Sequence, residues 1–119
     1  MKEECSIRKA VNFLGKRWTL LILLELYKGK SEWKRFSQIK RNLDNITSKI
    51  LSIRLKELKI ENLIEKRVSI KKSPIKSEYK LTKAGKDFIG IIKNIKRWSL
   101  MWKKDNKICG EKDCKDCEF

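Results

Sequence analysis

The spacing of the apolar residues changes along this chain, and these changes constrain the fold more than any other feature. Up to Asn62 the apolar residues recur every three or four positions, which is the period of a helix. After Asn62 they fall at alternate positions as far as Leu81, on either side of a basic segment, Lys71–Lys76, that contains the only proline. That pattern predicts a two-stranded hairpin. The helical period then returns and continues to Trp102.

Four helical segments are predicted before the hairpin. The first covers Ile7–Leu14. The second, Trp18–Tyr27, is apolar on nearly every side, which is typical of a buried central helix. Two shorter helices follow at Ser37–Asn42 and Thr47–Lys59, and Thr47 suits the N-cap position of the latter. Two short helices joined by a turn of a few residues form a helix-turn-helix.

A long helix is predicted after the hairpin, with Thr82 as its N-cap. One stripe along this helix is mainly apolar and comprises Phe88, Ile91, Ile92, Ile95, Trp98, Ser99 and Trp102. A brief strand is also predicted near Trp33. Helices, a helix-turn-helix, a hairpin and a final helix in this order predict a winged helix-turn-helix, a mainly α (α+β) fold with a two-stranded wing. We expect this domain in residues 1–104, followed by a Cys-rich acidic tail in residues 105–119.

The charge of the chain favours a polyanionic partner. There are 31 Lys and Arg residues against 15 Asp and Glu residues, which gives a formal net charge of +16. Between Lys28 and Lys80 there are 16 basic and 6 acidic residues, whereas the tail holds 3 basic and 5 acidic ones. A compact domain with such an excess repels itself, and nucleic acid would neutralise the excess. The alternative is a lysine-rich surface that reflects a hot or salty habitat.

Several classes of protein are disfavoured by what the sequence lacks. The chain has no histidine, and it shows no Ser-His or Cys-His constellation, P-loop or glycine-rich nucleotide fingerprint. An enzyme is therefore not expected. The longest apolar run, Leu20–Leu24, is too short to span a bilayer, so no membrane association is expected. Acidic residues directly after Met1 and Lys2 argue against a signal peptide, which predicts a cytoplasmic protein.

Four motifs, taken in order, resemble those of the HxlR-type winged-helix transcriptional regulators of bacteria and archaea. They read GKRWTLLIL from Gly15, KRFSQI from Lys34, ITSKILSIRLKEL from Ile46 and EYKLTKAG from Glu78, and the resemblance covers residues 5–98. It implies a homodimer that binds operator DNA and represses or activates nearby genes. Some members of the family sense oxidants, aldehydes or quinones, a few of them through an N-terminal cysteine. The chain departs from the family pattern in a longer polar connection, Lys30–Lys34, and in the tail.

The helix predicted at Thr47–Lys59 is expected to enter the major groove of DNA. Leu51, Leu55 and Leu58 share one narrow arc that must face the core. The opposite face presents Lys49, Ser52, Ile53 and Lys56. An outward isoleucine suits contact with a thymine methyl group, and lysine and serine reach base edges or phosphates. The alternative is an ordinary solvated face that carries a surface isoleucine.

Other DNA contacts are expected from the wing and from the helix-turn-helix. Lysine is a point charge that suits phosphate, so the wing lysines are assigned to positioning on the DNA backbone. The alternative is a hairpin tip that is merely soluble. The further predicted contact residues are Ser37, Thr47, Ser48, Lys71, Lys72 and Lys76.

The apolar stripe of the last helix is expected to bury a dimer interface, with the first helix packed beside it. Core packing within one monomer is the alternative for Trp98 and Trp102. A dimer predicts a pseudo-palindromic operator whose half-sites lie about 34 Å apart.

The cysteines leave three interpretations open. Cys109, Cys114 and Cys117 form C-x4-C-x2-C among Gly, Lys, Asp and Glu neighbours, so packing is not their expected role, and Cys5 stands alone at the other end. The first interpretation is a thiol redox switch. The second is a bound metal, either zinc with Cys5 as the fourth ligand or an iron–sulfur cluster, although no cofactor is required. The third is a tail without a fixed role.

Together these features predict a sequence-specific regulator that binds double-stranded DNA as a homodimer, with a switch by thiol redox state or a bound metal among the open roles of its cysteines. The alternative is a winged-helix module that docks on RNA or on a protein partner without reading sequence. Aromatic side chains exposed among basic residues would favour RNA. The tryptophans here fall mostly in apolar stripes, which favours DNA.

Overall fold

The computed structural model describes residues 5–69, 75–103 and 110–117. The helices and strands follow the predicted order and are α1 Ser6–Leu14, α2 Thr19–Tyr27, β1 Lys34–Arg35, α3 Phe36–Asn42, α4 Ser48–Ile60, β2 Ile64–Ser69, β3 Lys76–Leu81 and α5 Lys83–Trp102. A short 3₁₀ turn, Cys114–Asp116, lies in the tail. The winged helix-turn-helix fold is therefore confirmed, with α3 and α4 as the helix-turn-helix and β2–β3 as the wing.

The wing belongs to a three-stranded antiparallel sheet of order β1-β3-β2. In the hairpin Ile64 pairs with Leu81 and Ser69 pairs with Lys76. The brief strand predicted near Trp33 is β1, and it adds to the other edge of β3 by pairing Lys34 with Tyr79. Thus the sheet ties the wing to the residues that lead into α3.

The hydrophobic core surrounds α2. Ile22 and Leu23 are completely buried, as the continuous apolar run predicts. Leucines of α4, isoleucines of α5 and the inner residues of the sheet pack with them in a single cluster. This core fixes α4 and the wing relative to each other.

The start of α2 differs slightly from the prediction. The helix begins at Thr19, because Trp18 adopts a left-handed backbone conformation with φ of 83°. Its half-buried ring packs on the core, and the Arg17 guanidinium lies 5.0 Å from the ring centroid. Packing of the indole thus accompanies a backbone conformation that is uncommon for a bulky residue.

Thr82 and Gly85 attach α5 to the residues that precede the wing. The Thr82 hydroxyl accepts a hydrogen bond from the Gly85 amide and donates one to the Asn62 carbonyl, 2.7 Å away. A Cβ atom at Gly85 would lie 2.2 Å from the Leu63 carbonyl oxygen, so no other residue fits without a backbone shift. Within the described ranges, no helix combines the length and the apolar character needed to cross a membrane.

Candidate nucleic-acid interface

The two faces of α4 are divided as the sequence predicts. Leu51, Leu55 and Leu58 are fully buried, which fixes the rotation of the helix. The residues of the opposite face are all exposed, namely Lys49, Ser52, Ile53 and Lys56. Ile53 retains 40% of its accessible surface although it sits between charged and polar neighbours. An apolar side chain is thus presented to solvent on a basic helix face.

Hydroxyl groups mark the beginning of α4. Thr47 is the N-cap, and its side chain accepts a hydrogen bond of 3.2 Å from the Ile50 amide, as predicted. A hydroxyl that accepts in this way keeps its own hydrogen as a donor. Ser48 is exposed beside it. The turn before the cap uses Asn45 with φ of 73°, a conformation that asparagine tolerates.

A cleft separates the start of α3 from the wing. Its volume is about 500 Å³, and Ser37 on α3 and Lys76 on β3 both line it. Two predicted contacts that lie 39 positions apart in sequence are therefore neighbours in space. Arg35, which is not among the contacts predicted from the sequence, also lines this cleft and is exposed. Lys71 and Lys72 lie outside the described residues.

An aromatic residue fixes the base of the wing. The Trp33 ring is flanked by the Arg67 guanidinium at 4.2 Å and the Lys80 ammonium at 5.0 Å from its centroid. Arg67 also forms an ion pair of 3.0 Å with Glu78 on the paired strand. These cation–π contacts join the connection before β1 to both wing strands. The sequence pattern predicts the strand near Trp33 but does not indicate this role of the ring.

Charged residues connect α4 to the segment between α1 and α2. Lys16 forms an ion pair with Glu57 of α4. Arg54 donates to the Arg17 carbonyl at 2.9 Å and to Glu57 at 3.1 Å. Hydrogen bonds from Lys16, and secondarily from Arg54, lower the pKa of Glu57. These contacts hold Arg54 and Glu57 of α4 against the segment between α1 and α2.

The apolar stripe predicted on α5 is divided between two environments. Ile92 of the stripe is buried in the core of the single chain, together with Ile89, which the predicted stripe did not include. Trp98 and Trp102 remain 55% and 70% exposed, so they are not packed in the monomer core. The same exposed surface of α5 includes Ile91, Ile95 and Met101.

The first helix also presents uncovered apolar residues. None of the residues of α1 is buried, and Ile7 and Val11 are mainly exposed. The sequence of α1 is strongly amphipathic, and an amphipathic helix ordinarily buries its apolar face.

The cysteines occupy different environments. Cys5 is exposed at the N-cap of α1, where hydrogen bonds from the backbone amides of Arg8 and Ile7 lower the pKa of its thiol. Cys114 is only 8% exposed, so the expectation that none of the tail cysteines packs is wrong for this one. Cys117 is half-buried, and Cys109 lies outside the described residues. Within the described ranges, no three Cys, Asp or Glu side chains are grouped so as to hold a metal ion.

The chain is similar to known regulators over most of its length. The model of the HxlR-like helix-turn-helix family matches residues 13–107. YvaP, an HTH-type transcriptional regulator of Bacillus subtilis (strain 168), is 40% identical over 101 residues that cover 84% of this chain and 90% of YvaP.

Solved structures of regulators are also similar to this chain. The reduced form of the transcriptional regulator YodB from B. subtilis is 32% identical with a TM-score of 0.70, and the match covers 84% of this chain and 95% of YodB. The redox regulator HypR in its reduced form is 25% identical with a TM-score of 0.71, covering 82% of this chain and 92% of HypR. The relatives are transcriptional regulators, and the fold, the exposed basic face of α4 and the family match agree. The chain therefore belongs to the HxlR-like helix-turn-helix family of DNA-binding transcriptional regulators.

Proposed function

We propose that the protein is a homodimeric, sequence-specific regulator, without enzymatic activity, that places α4 in the major groove of operator DNA in the cytoplasm. The observation that carries this proposal is the exposed face of α4, where Ile53 stands among Lys49, Ser52 and Lys56. Ile53 lies in the N-terminal half of α4, where recognition helices contact bases, and a thymine methyl group there would provide an apolar partner for it. The lysines supply charge for base edges or phosphates.

The contacts around α4 are assigned to the phosphate backbone. Ser37, Arg35 and Lys76 line one cleft beside the wing, and Thr47 and Ser48 provide hydroxyl donors at the start of α4. Phosphate contacts fix the register of a protein on the duplex, and base contacts then specify the sequence. Lys71 and Lys72 extend this assignment as the sequence predicts. Trp33 is engaged by Arg67 and Lys80, which favours DNA over an RNA base stacked on that ring.

Dimerisation is supported by the uncovered apolar surface of α5 and α1. Most of the large exposed apolar side chains of the described residues lie on these two helices. An exposed apolar stripe along a helix, as on α5, is typical of a protein–protein interface. A two-fold dimer would present two copies of α4 to successive major grooves, about 34 Å apart.

Ile53→Ala tests base recognition directly. Loss of the methyl contact is expected to lower discrimination between operator and random DNA by about 1–3 kcal/mol. Affinity for random DNA should hardly change, because phosphate contacts supply that term. The measurement is a competition titration with an operator selected from random sequences.

Ile60→Ala is the matched control for this experiment. Ile60 is exposed on the same face of α4, two turns further from the N-terminal end. Recognition helices contact bases through their N-terminal residues, so this variant should keep full discrimination. Equal losses on operator and random DNA in Ile53→Ala would contradict a base-reading role for Ile53.

We further propose that Cys5 makes DNA binding responsive to oxidants. Its thiol is exposed, and its lowered pKa increases the fraction of thiolate, which is the reactive form. In the simplest reaction the thiolate attacks hydrogen peroxide, an S–O bond forms, the O–O bond breaks and hydroxide leaves. The reduced states of YodB and HypR among the similar structures support regulation of this kind. A polar sulfenic acid beside the apolar residues of α1 would disfavour their burial in a dimer.

Peroxide is accordingly expected to weaken operator binding by about 5- to 150-fold, the range of ordinary allosteric coupling. Cys5→Ser should bind the operator normally and lose this response. An unchanged response in Cys5→Ser would exclude Cys5 as the sensor. Mass spectrometry under native and denaturing conditions decides between this switch and a metal, because bound zinc or an iron–sulfur cluster would add mass only in the native spectrum.

A further inference from the structure

A cavity of about 580 Å³ lies where the end of α2 meets β1, α3 and the tail. Its lining comes from four separate parts of the chain, including Glu25 on α2, Lys34 on β1, Gln38 on α3 and Lys115 in the tail. The volume is within the range of small-molecule sites. None of the residues that we assign to DNA contact lines this cavity.

The cavity has an excess of positive charge. The charged residues that line it are Lys28, Lys30, Lys34, Lys115, Glu25 and Asp116, and the thiol of Cys117 is the other titratable group in its wall. Four lysines thus line the cavity against two acidic residues. Clefts lined by one sign of charge concentrate ions of the opposite sign.

Lys34 distinguishes this cavity from a patch of surface lysines. It is only 4% exposed, and its ammonium donates to the Glu25 carbonyl at 2.6 Å and to the Lys28 carbonyl. Lysine has three N–H donors, and these two carbonyls account for two of them. Burial is the main cause that lowers the pKa of Lys34 to about 8; the Glu25 carboxylate opposes this shift, and repulsion from Lys115 and Lys28 adds to it. A bound anion would relieve this cost of a buried charge.

The tail forms one wall of the cavity and is held there by specific contacts. The Lys115 carbonyl accepts from the Gly29 amide at 2.9 Å, and the Lys115 ammonium donates to the Tyr27 carbonyl at 3.3 Å. Asp113 joins the tail to α5 through an ion pair of 2.9 Å with Lys93. The family match ends at residue 107, so this wall lies outside the matched region.

We propose that this cavity is a binding site for a small organic anion, a metabolite with carboxylate or phosphate groups, held between Lys34 and Lys115. Gln38 and Asn42 of α3 provide neutral hydrogen-bonding groups on the opposite wall. Because α3 is the first helix of the helix-turn-helix, the anion would also connect the tail to the DNA-binding unit. This last coupling rests on the proposed function, whereas binding of the anion does not.

The test is a titration of the full chain with citrate and with inorganic phosphate, followed by NMR of amide-labelled protein. Saturable shifts are expected for the amides of Gly29 and Asn42, and Lys115→Gln should weaken binding at least about tenfold, the effect of one lost charged contact. Lys34→Met should also weaken binding of the anion at least about tenfold. If the Lys34→Met variant does not fold, Lys115→Gln by itself still tests the proposal. Lys83→Gln removes the same charge at an exposed position outside the cavity and should bind as the native chain does.

The pH dependence provides a second readout. Affinity for citrate should fall as the pH rises from 7 to 9 through the pKa of Lys34 of about 8, because the ammonium loses its proton. Equal weakening by Lys83→Gln, or shifts spread over the basic surface, would overturn the proposal in favour of nonspecific anion binding. If Lys115→Gln weakened binding to duplex DNA as strongly as binding to citrate, the cavity would belong to the DNA interface and the proposal would fail. If citrate binds in the cavity but does not change the affinity for DNA, the proposed anion site is supported and only its proposed coupling to DNA binding is contradicted.

Discussion

Ile95→Arg is expected to convert the protein from a dimer to a monomer and to abolish tight operator binding. Ile95 is exposed in the middle of the apolar surface of α5, between Ile91 and Trp98. Burying an unpaired guanidinium in an interface costs several kcal/mol, so the dimer should dissociate at micromolar concentration. A monomer engages only one half-site, and loss of bivalency lowers apparent affinity by about 10²- to 10⁴-fold.

Sedimentation equilibrium and operator binding together measure this effect. The control is Ile60→Arg, which places the same charge at another exposed isoleucine, at the end of α4. It should remain a dimer, because no partner is expected to cover that position. A dimeric Ile95→Arg would show that the exposed surface of α5 does not form the interface.

Leu55→Ala is expected to destabilise the protein by about 2–5 kcal/mol, as other buried leucine-to-alanine changes do. Leu55 is 1% exposed on the inner face of α4, where it packs in the cluster around α2. Total stabilities of about 5–15 kcal/mol are usual, so this single change removes a large share. Urea unfolding at one fixed protein concentration measures the loss, since the stability of a dimer depends on concentration.

Ile53→Ala provides the internal comparison, two positions away on the same helix. Ile53 is 40% exposed, so its truncation should change the free energy of unfolding by no more than about 0.5 kcal/mol. Leu55→Ala should therefore lower the free energy of unfolding, whereas Ile53→Ala should lower DNA discrimination and leave the free energy of unfolding nearly unchanged. Comparable destabilisation by both would mean that α4 is rotated relative to the orientation described above.

The sequence predicted those parts of the molecule that depend on local periodicity. The leucine arc of α4 determines which face is buried, because three leucines at helical spacing can face the core in only one rotation. Thr47 and Thr82 were correctly identified as N-caps, because the capping hydrogen bond involves residues three positions apart. The observed helix boundary differs from the predicted one by a residue where tertiary packing sets the backbone conformation, as at Trp18.

Contacts between distant segments were not predictable in the same way. The sequence around Lys34 does not indicate that its ammonium is buried, because the acceptors are main-chain carbonyls at the end of α2, whose position relative to β1 depends on the fold of the connection between them. The pairing of Trp33 with Arg67 similarly depends on the register between β1, β3 and β2. Cys114 has only polar neighbours in sequence, and its burial arises from the surface of α2 and α5 onto which the 3₁₀ turn folds.

The way in which the tail is attached has a consequence for its evolution. Much of its hold comes from main-chain atoms, since Gly29 donates to the Lys115 carbonyl and Lys96 donates to the Lys112 carbonyl. Any residue presents the same carbonyl, so the Lys112 side chain can vary without loosening this attachment, whereas Asp113 and Lys115 also hold the tail through their side chains. A deletion or insertion of one residue between Lys112 and Lys115 would displace one carbonyl relative to the other. The length of this segment should accordingly be more constrained among descendants of this chain than its composition.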